Sequence, residues 1–113
     1  MEECVFCKII AGEIPSKIVY QNERILAFED INPKAPIHIL IVPKKHLEFK
    51  DLDISEVETL GNLILVAKNL AEEFKIQDSG YRLILNCGKD AGQEIAHIHL
   101  HLLGGKNLGP MIS

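Results

Sequence analysis

"AHIHLHLLGG", residues Ala96 to Gly105, sets His97, His99 and His101 at alternate positions with Ile98, Leu100 and Leu102 between them. Read as a β-strand, this alternation puts three imidazoles on one face and the aliphatic side chains on the other. Three of the five histidines in the chain fall on that one face. The strand therefore has a buried back and a chemical front.

The surrounding segments supply a sheet for it. Tyr81 to Cys87 reads as a strand leading into the glycine-bearing loop "GKDAGQE", and the histidine strand follows. Ile18 to Gln21 and Ile25 to Asp30 are two short β-rich runs joined by the turn formers Asn22 and Glu23, which is a hairpin pattern. Ile37 to Val42, bracketed by Pro36 and Pro43, reads as a buried strand that contains His38.

Two segments read as helical. Phe6 to Ala11 forms a turn or two, ended by Gly12. From Ser55 to about Lys75, Val57, Leu60, Ile64, Ala67, Ala71 and Phe74 recur at helical spacing, and Ser55 with Glu58 matches a capping box. Gly61 costs such a helix about 1 kcal/mol relative to Ala, which points to close packing against a neighbour. Five strands and one major helix predict an α+β domain with a mainly antiparallel sheet, a single unit over residues 1–113.

The chain has 113 residues, is 47% hydrophobic and 25% charged, and has a formal net charge of -4. This describes a globular domain without the basic stripe that duplex nucleic acid requires. The N-terminus "MEECVFCKII" has acidic residues where a signal peptide needs positive charge, and no apolar run has the length of a membrane span. The expectation is a cytoplasmic protein without nucleic-acid or membrane partners. Three cysteines in a reducing compartment read as metal ligands or buried thiols, and Cys87 as a core thiol.

The histidine strand has three readings: a solvated polar face, a metal site, or nucleophilic chemistry at phosphorus. Neighbours on one strand face sit about 6.6 Å apart and the outer pair about 13 Å, so three such histidines do not readily share one ion. A neutral imidazole can attack a phosphoryl centre while a second one stabilises charge. Backbone N–H groups around Gly92, with the side chains of Gln93 and Asn86, are candidate partners for phosphate oxygens.

"HIHLHLL", together with "FCKIIAGEIPSKIVYQNERILAFEDINPKAPIHILIVPKKH" and "GYRLILNCGKDAGQEIAHIHLHLLGG", resembles the histidine-triad (HIT) superfamily over nearly the whole chain, in its Hint branch of nucleotide-binding proteins. The resemblance implies a HIT-like fold whose five-stranded sheet continues across a homodimer. It implies a purine nucleoside phosphoramidate hydrolase of the adenosine 5'-monophosphoramidase type, with no organic cofactor. His99 matches the nucleophile that becomes transiently nucleotidylated, with His101 at the phosphate and His97 completing the triad. Asp30 matches the acid at the ribose. Phe6, Ile9, Ile14, Phe28 and Ile31 match the apolar clamp on the base, and Asn86, Gly92, Gln93 and Glu94 the phosphate-side loop. Glu94 stands where vertebrate members carry serine, and "NLGPMIS" lacks their Trp-Pro-Pro-Gly ending.

"CVFC" is a Cys-x2-Cys pair. In zinc-holding relatives such a pair combines with a histidine at the position of His46 and the first triad histidine, here His97, to make a closed structural Cys2His2 site. His38 reads as a core histidine that buttresses the triad, or as a substitute for His46. Lys44 and Lys45 read as solvated. A dinucleoside polyphosphate hydrolase of the Fhit type, and a zinc-stabilised nucleotide-binding module with little turnover, are the alternatives.

Overall fold

Asn22 closes the first hairpin with its side chain. Its Oδ1 accepts from the backbone N–H groups of Arg24 and Ile25 at 2.8 and 2.9 Å, a local turn that reverses the chain. This computed structural model describes residues 4–111. Strands β1 (Ile18–Gln21), β2 (Ile25–Glu29), β3 (Ile37–Pro43), β4 (Tyr81–Leu85) and β5 (Leu100–Gly104) form one sheet in the order β1-β2-β3-β5-β4. Every neighbouring pair is antiparallel.

Alternation along the central strands builds two cores. Ile25, Ala27, Ile39, Ile41, Leu100 and Leu102 point to one face, where they meet Leu63, Val66, Ala67, Leu70 and Ala71 of helix α2 (Val57–Glu73). Leu26, Phe28, Leu40 and Val42 point to the other face and meet Cys4 and Phe6 at the short helix α1 (Val5–Ile10). Helix α1 covers only part of that face, and the uncovered remainder holds the site.

Several expectations are corrected. The β5 ladder begins at Leu100, so His97 and His99 lie ahead of it. The reason is a competing bond: the Ile98 N–H goes to the Leu47 carbonyl at 2.8 Å, not to a strand partner. The burial alternation survives without the ladder, with Ile98, Leu100 and Leu102 all in the α2-side core. β4 stops at Leu85, and Cys87 is exposed instead of buried in a core.

Ser55 does not cap α2. It lies in a 3-10 turn, Ile54–Glu56, where Asp53 caps by accepting from the Ser55 N–H at 2.8 Å and from its hydroxyl. Glu58 does not reach back to Ser55; it pairs with Arg24 at 3.4 Å. The apolar stripe is also rotated from the expected one: Val57 and Ile64 are 57% and 46% exposed, while Leu63, Val66 and Leu70 take the core. Gly61 is exposed, and a Cβ added there would meet nothing within 4 Å, so its expected close packing is not made among the described residues.

Candidate active site

The partly uncovered sheet face forms a cavity of about 680 Å³, within the range of small-molecule sites. Phe6, Ile9, Ile14, Phe28 and Ile31 supply apolar wall, and Asp30, Asn86, Gly92, Glu94, His99 and His101 supply polar groups. Thus all but one of the residues matched to nucleotide binding converge on one space. The exception is Gln93, whose side chain accepts from the Gly88 N–H at 2.7 Å and donates to the Ile95 carbonyl at 3.1 Å, stapling the loop.

That loop spends the donors expected for phosphate. The N–H groups of Ala91 and Gln93 bond the Gly88 carbonyl, and the Gly92 N–H bonds the Lys89 carbonyl at 2.9 Å. Gly88 and Gly92 make this closure possible by taking φ of +85° and +83°, which side-chain-bearing residues rarely adopt. The loop is a closed 3-10 turn, and the amides around Gly92 are already committed.

Hydrogen bonds assign the histidine tautomers. The Lys34 backbone N–H donates to His38 Nδ1 at 3.0 Å, so a neutral His38 carries its proton on Nε2. That Nε2–H donates to His101 Nδ1 at 2.9 Å, with Asp30 Oδ2 at 3.4 Å beside it. His101 then carries its own proton on Nε2. His99 has the opposite arrangement: Nδ1–H donates to the His97 carbonyl at 2.7 Å, leaving Nε2 bare. The His99 and His101 rings lie 5.1 Å apart, an unprotonated nitrogen beside a donor.

Burial keeps His101 and His38 neutral. His101 is pushed down to about 4, first by burial and then by the neighbouring His99 and His38, with the Asp30 charge opposing. His38 is lowered as well, chiefly by burial, with Asp30 again opposing. Near neutral pH both rings are therefore uncharged.

A second cluster lies across Phe6. Ligand atoms of Cys4, Cys7, His46 and His97 all fall within 4.8 Å of one another. Cys4 Sγ is 3.3 Å and Cys7 Sγ 3.7 Å from His97 Nδ1, and Cys7 Sγ is 3.4 Å from His46 Nδ1. A tetrahedral zinc ion with ordinary bond lengths places its ligands about 3.3–3.8 Å apart. The outward nitrogens also suit a metal: His97 Nε2–H donates to the Pro43 carbonyl at 2.8 Å, and His46 Nε2 faces Glu48 at 3.3 Å. Both rings thereby present Nδ1 inward, which is how outer partners orient metal-bound histidines. Burial lowers His97, favouring the neutral form a ligand needs.

Asp30, His38 and His101 also lie within metal-ligating distance of one another. There the fit fails, because His38 must carry a proton on the nitrogen that would bind the ion. His38 therefore does not replace His46; it belongs to the proton-bearing set. His38, read from the sequence as a core histidine that buttresses the triad, is buried and bonds His101, whereas Pro43 and Glu48 lie behind the Cys/His cluster with no motif to mark them.

A HIT domain family model matches residues 11–108. The chain belongs to the HIT family. The purine nucleoside phosphoramidase of Escherichia coli strain K12 is 50% identical over 113 residues, covering 99% of this chain and 95% of that protein. A HIT family hydrolase from Clostridium thermocellum has 49% identity and a TM-score of 0.95, covering 100% of this chain and 99% of its own. A histidine triad protein from Clostridium difficile has 46% identity and a TM-score of 0.93, covering 97% and 96%. These relatives support a nucleotide hydrolase of the HIT fold.

Proposed function

We propose that this HIT protein hydrolyses purine nucleoside phosphoramidates through a nucleotidyl-His99 intermediate. The observation that carries this reading is the bare Nε2 of His99 beside the Nε2–H of His101 at one cavity. The His99 lone pair attacks the phosphorus of an AMP-type amide, the P–N bond breaks, and the departing amine takes a proton from solvent. Water then attacks the phosphorus of nucleotidyl-His99, releasing AMP and restoring the imidazole. His101 Nε2–H and the Asn86 amide hold phosphoryl oxygens, Glu94 lies beside them, and Asp30 accepts from the ribose hydroxyls. The base rests among Phe6, Ile9, Ile14, Phe28 and Ile31. His97 contributes its carbonyl, which keeps His99 in the reactive tautomer.

Cys4, Cys7, His46 and His97 would hold zinc as a closed structural site. Bound zinc supplies a rigid tie among the N-terminal segment, the turn after β3 and the triad, with no open position for substrate. A thiol pair kept for metal suits a reducing compartment, in line with a cytoplasmic location.

The reading includes one HIT domain over residues 1–113 and a homodimer. Ile54, Val57, Ile64 and Leu65 are 83%, 57%, 46% and 60% exposed on and just before α2. β4 is an edge strand, so its outer side can extend the sheet into a second copy. Leu65→Glu should shift sedimentation from dimer to monomer, and a wild-type monomer would overturn this part.

The test is hydrolysis of adenosine 5'-phosphoramidate and a lysine-linked AMP, with diadenosine triphosphate as competitor. We expect turnover of the amides, a nucleotidylated peptide containing His99 after acid quench, and a loss of at least about 10³-fold in His99→Ala. Activity within tenfold of wild type in that variant would overturn the nucleophile assignment. Preference for the polyphosphate would favour Fhit-type chemistry, and AMP binding without turnover would leave a binding module.

A further inference from the structure

Helix α1 belongs to both the metal cluster and the cavity. Cys4 caps its N-terminus, its sulfur accepting from the Cys7 N–H at 3.4 Å. Between the two cysteines, Phe6 is 4% exposed and turns its ring to the catalytic face. Its centroid lies 5.0 Å from that of His99 at 67°, 5.7 Å from His97 at 82° and 5.7 Å from Phe28 at 61°. These are edge-to-face arrangements, each with a defined ring position.

A helix of six residues does not hold itself in water and takes its position from its ties. At the cluster end those ties are the two thiols against His46 and His97. At the cavity end Val5, Phe6 and Ile9 form wall. A second link runs through His97, whose ring faces the thiols while its carbonyl holds His99 Nδ1–H at 2.7 Å. Displacing the cluster moves both the wall and the group that fixes the nucleophile's tautomer.

We infer that the Cys4–Cys7–His46–His97 cluster and the nucleotide cavity are one thermodynamic unit, with Phe6 as the positioning residue that joins them. Metal at the cluster strengthens nucleotide binding, and nucleotide strengthens metal binding by the same factor, as linkage requires. This rests on the reading that the cavity takes an AMP-type ligand. Phe6 thereby gains a function beyond touching the base: it carries metal occupancy to His99.

The experiment titrates AMP calorimetrically into the full-length protein, metal-free and with one equivalent of zinc. A competing chelator then measures zinc affinity with and without saturating AMP. We expect about fivefold to tenfold tighter AMP binding in the zinc form and an equal rise in zinc affinity with AMP. Phe6→Leu keeps both thiols and should still bind one zinc, with the factor falling to the share carried by the His97 link.

Imidazole 15N signals supply the readout that loss of a base contact alone would not move. With zinc, wild-type His99 should show the Nδ1–H tautomer, and Phe6→Leu a mixture of the two. If the metal-free wild type does not stay folded, this comparison of the two zinc-loaded proteins decides the matter. Equal AMP affinity with and without zinc, or an unchanged His99 tautomer in Phe6→Leu, would overturn the inference while leaving the phosphoramidase reading intact. AMP binding to neither form would overturn both, and failure to bind zinc would overturn the inference and the metal assignment together.

Discussion

Two groups of histidines flank His99, and their chemistry diverges at the main-chain atoms that His97 and His38 meet. At the cysteine cluster, the Pro43 carbonyl takes the outer proton of His97, leaving Nδ1 bare toward the sulfurs. At the cavity, the Lys34 N–H occupies Nδ1 of His38, placing a proton on the nitrogen that faces His101. Both groups have imidazoles at ligand spacing. One main-chain acceptor leaves a bare nitrogen facing two thiols; one main-chain donor leaves a proton facing a second imidazole. Ligand spacing alone does not identify a metal site.

Breaking each group separately should give opposite phenotypes. His46→Ala leaves three ligands, and we expect zinc affinity to fall at least about 100-fold and Tm by about 5–10 °C, measured by chelator competition and thermal unfolding. His38→Ala should leave one zinc bound and lower kcat by about 10- to 100-fold. That is below the 10²–10³ cost of deleting a direct transition-state donor, because His38 acts through His101. His38→Gln, whose amide can donate to His101 Nδ1, should recover part of the loss. Zinc loss in His38→Ala would erase the distinction between the two groups.

How far this difference is legible in the sequence depends on its source. The face alternation of Ile98, Leu100 and Leu102 is a local property of the chain, and it holds where the ladder itself is absent. The α2 stripe is less legible, since aliphatic residues continue around the helix through Ile64 and Leu65, so periodicity alone did not select the face. The expected capping box failed because Asp53, two residues earlier, takes the Ser55 N–H from which Glu58 would have accepted. Among the cavity residues, His99, His101, Asn86 and Gly92 are legible from the residue pattern itself and Asp30, Glu94 and the apolar clamp through family resemblance, while Gln93 staples the loop instead of facing the cavity. What escaped was the main chain: no side-chain pattern reports that Lys34 donates, that Pro43 accepts, or that the Gly88–Gly92 loop consumes its own amides.

Acid should sharpen the contrast. His101 has an ordinary value of 6.5 and is lowered to about 4 in the fold. Between those values the unfolded chain binds the proton and the folded chain does not, so stability falls as pH drops from 6.5 toward 4. His38, also lowered, adds in the same direction. We expect Tm of the metal-free protein to fall by several degrees between pH 6.5 and 4.5, and His101→Asn to flatten the slope. Parallel slopes would show that His101 is not the group held neutral.

The smallest effect expected is at Glu48, which makes no contribution to the inner ligand set. Its carboxylate faces His46 Nε2 at 3.3 Å and also lies 3.9 Å from the Lys50 ammonium. If that carboxylate orients His46 and increases its basicity as a ligand, Glu48→Gln keeps the acceptor geometry but removes the charge. Zinc affinity should then fall by about tenfold, at the low end for an outer partner, because Glu48 is partly exposed. The His97 side needs no charge, since a carbonyl already fixes that ring. Equal zinc affinity in Glu48→Gln and wild type would mean that hydrogen-bond geometry alone orients both rings, making the Pro43 carbonyl and the Glu48 carboxylate equivalent devices.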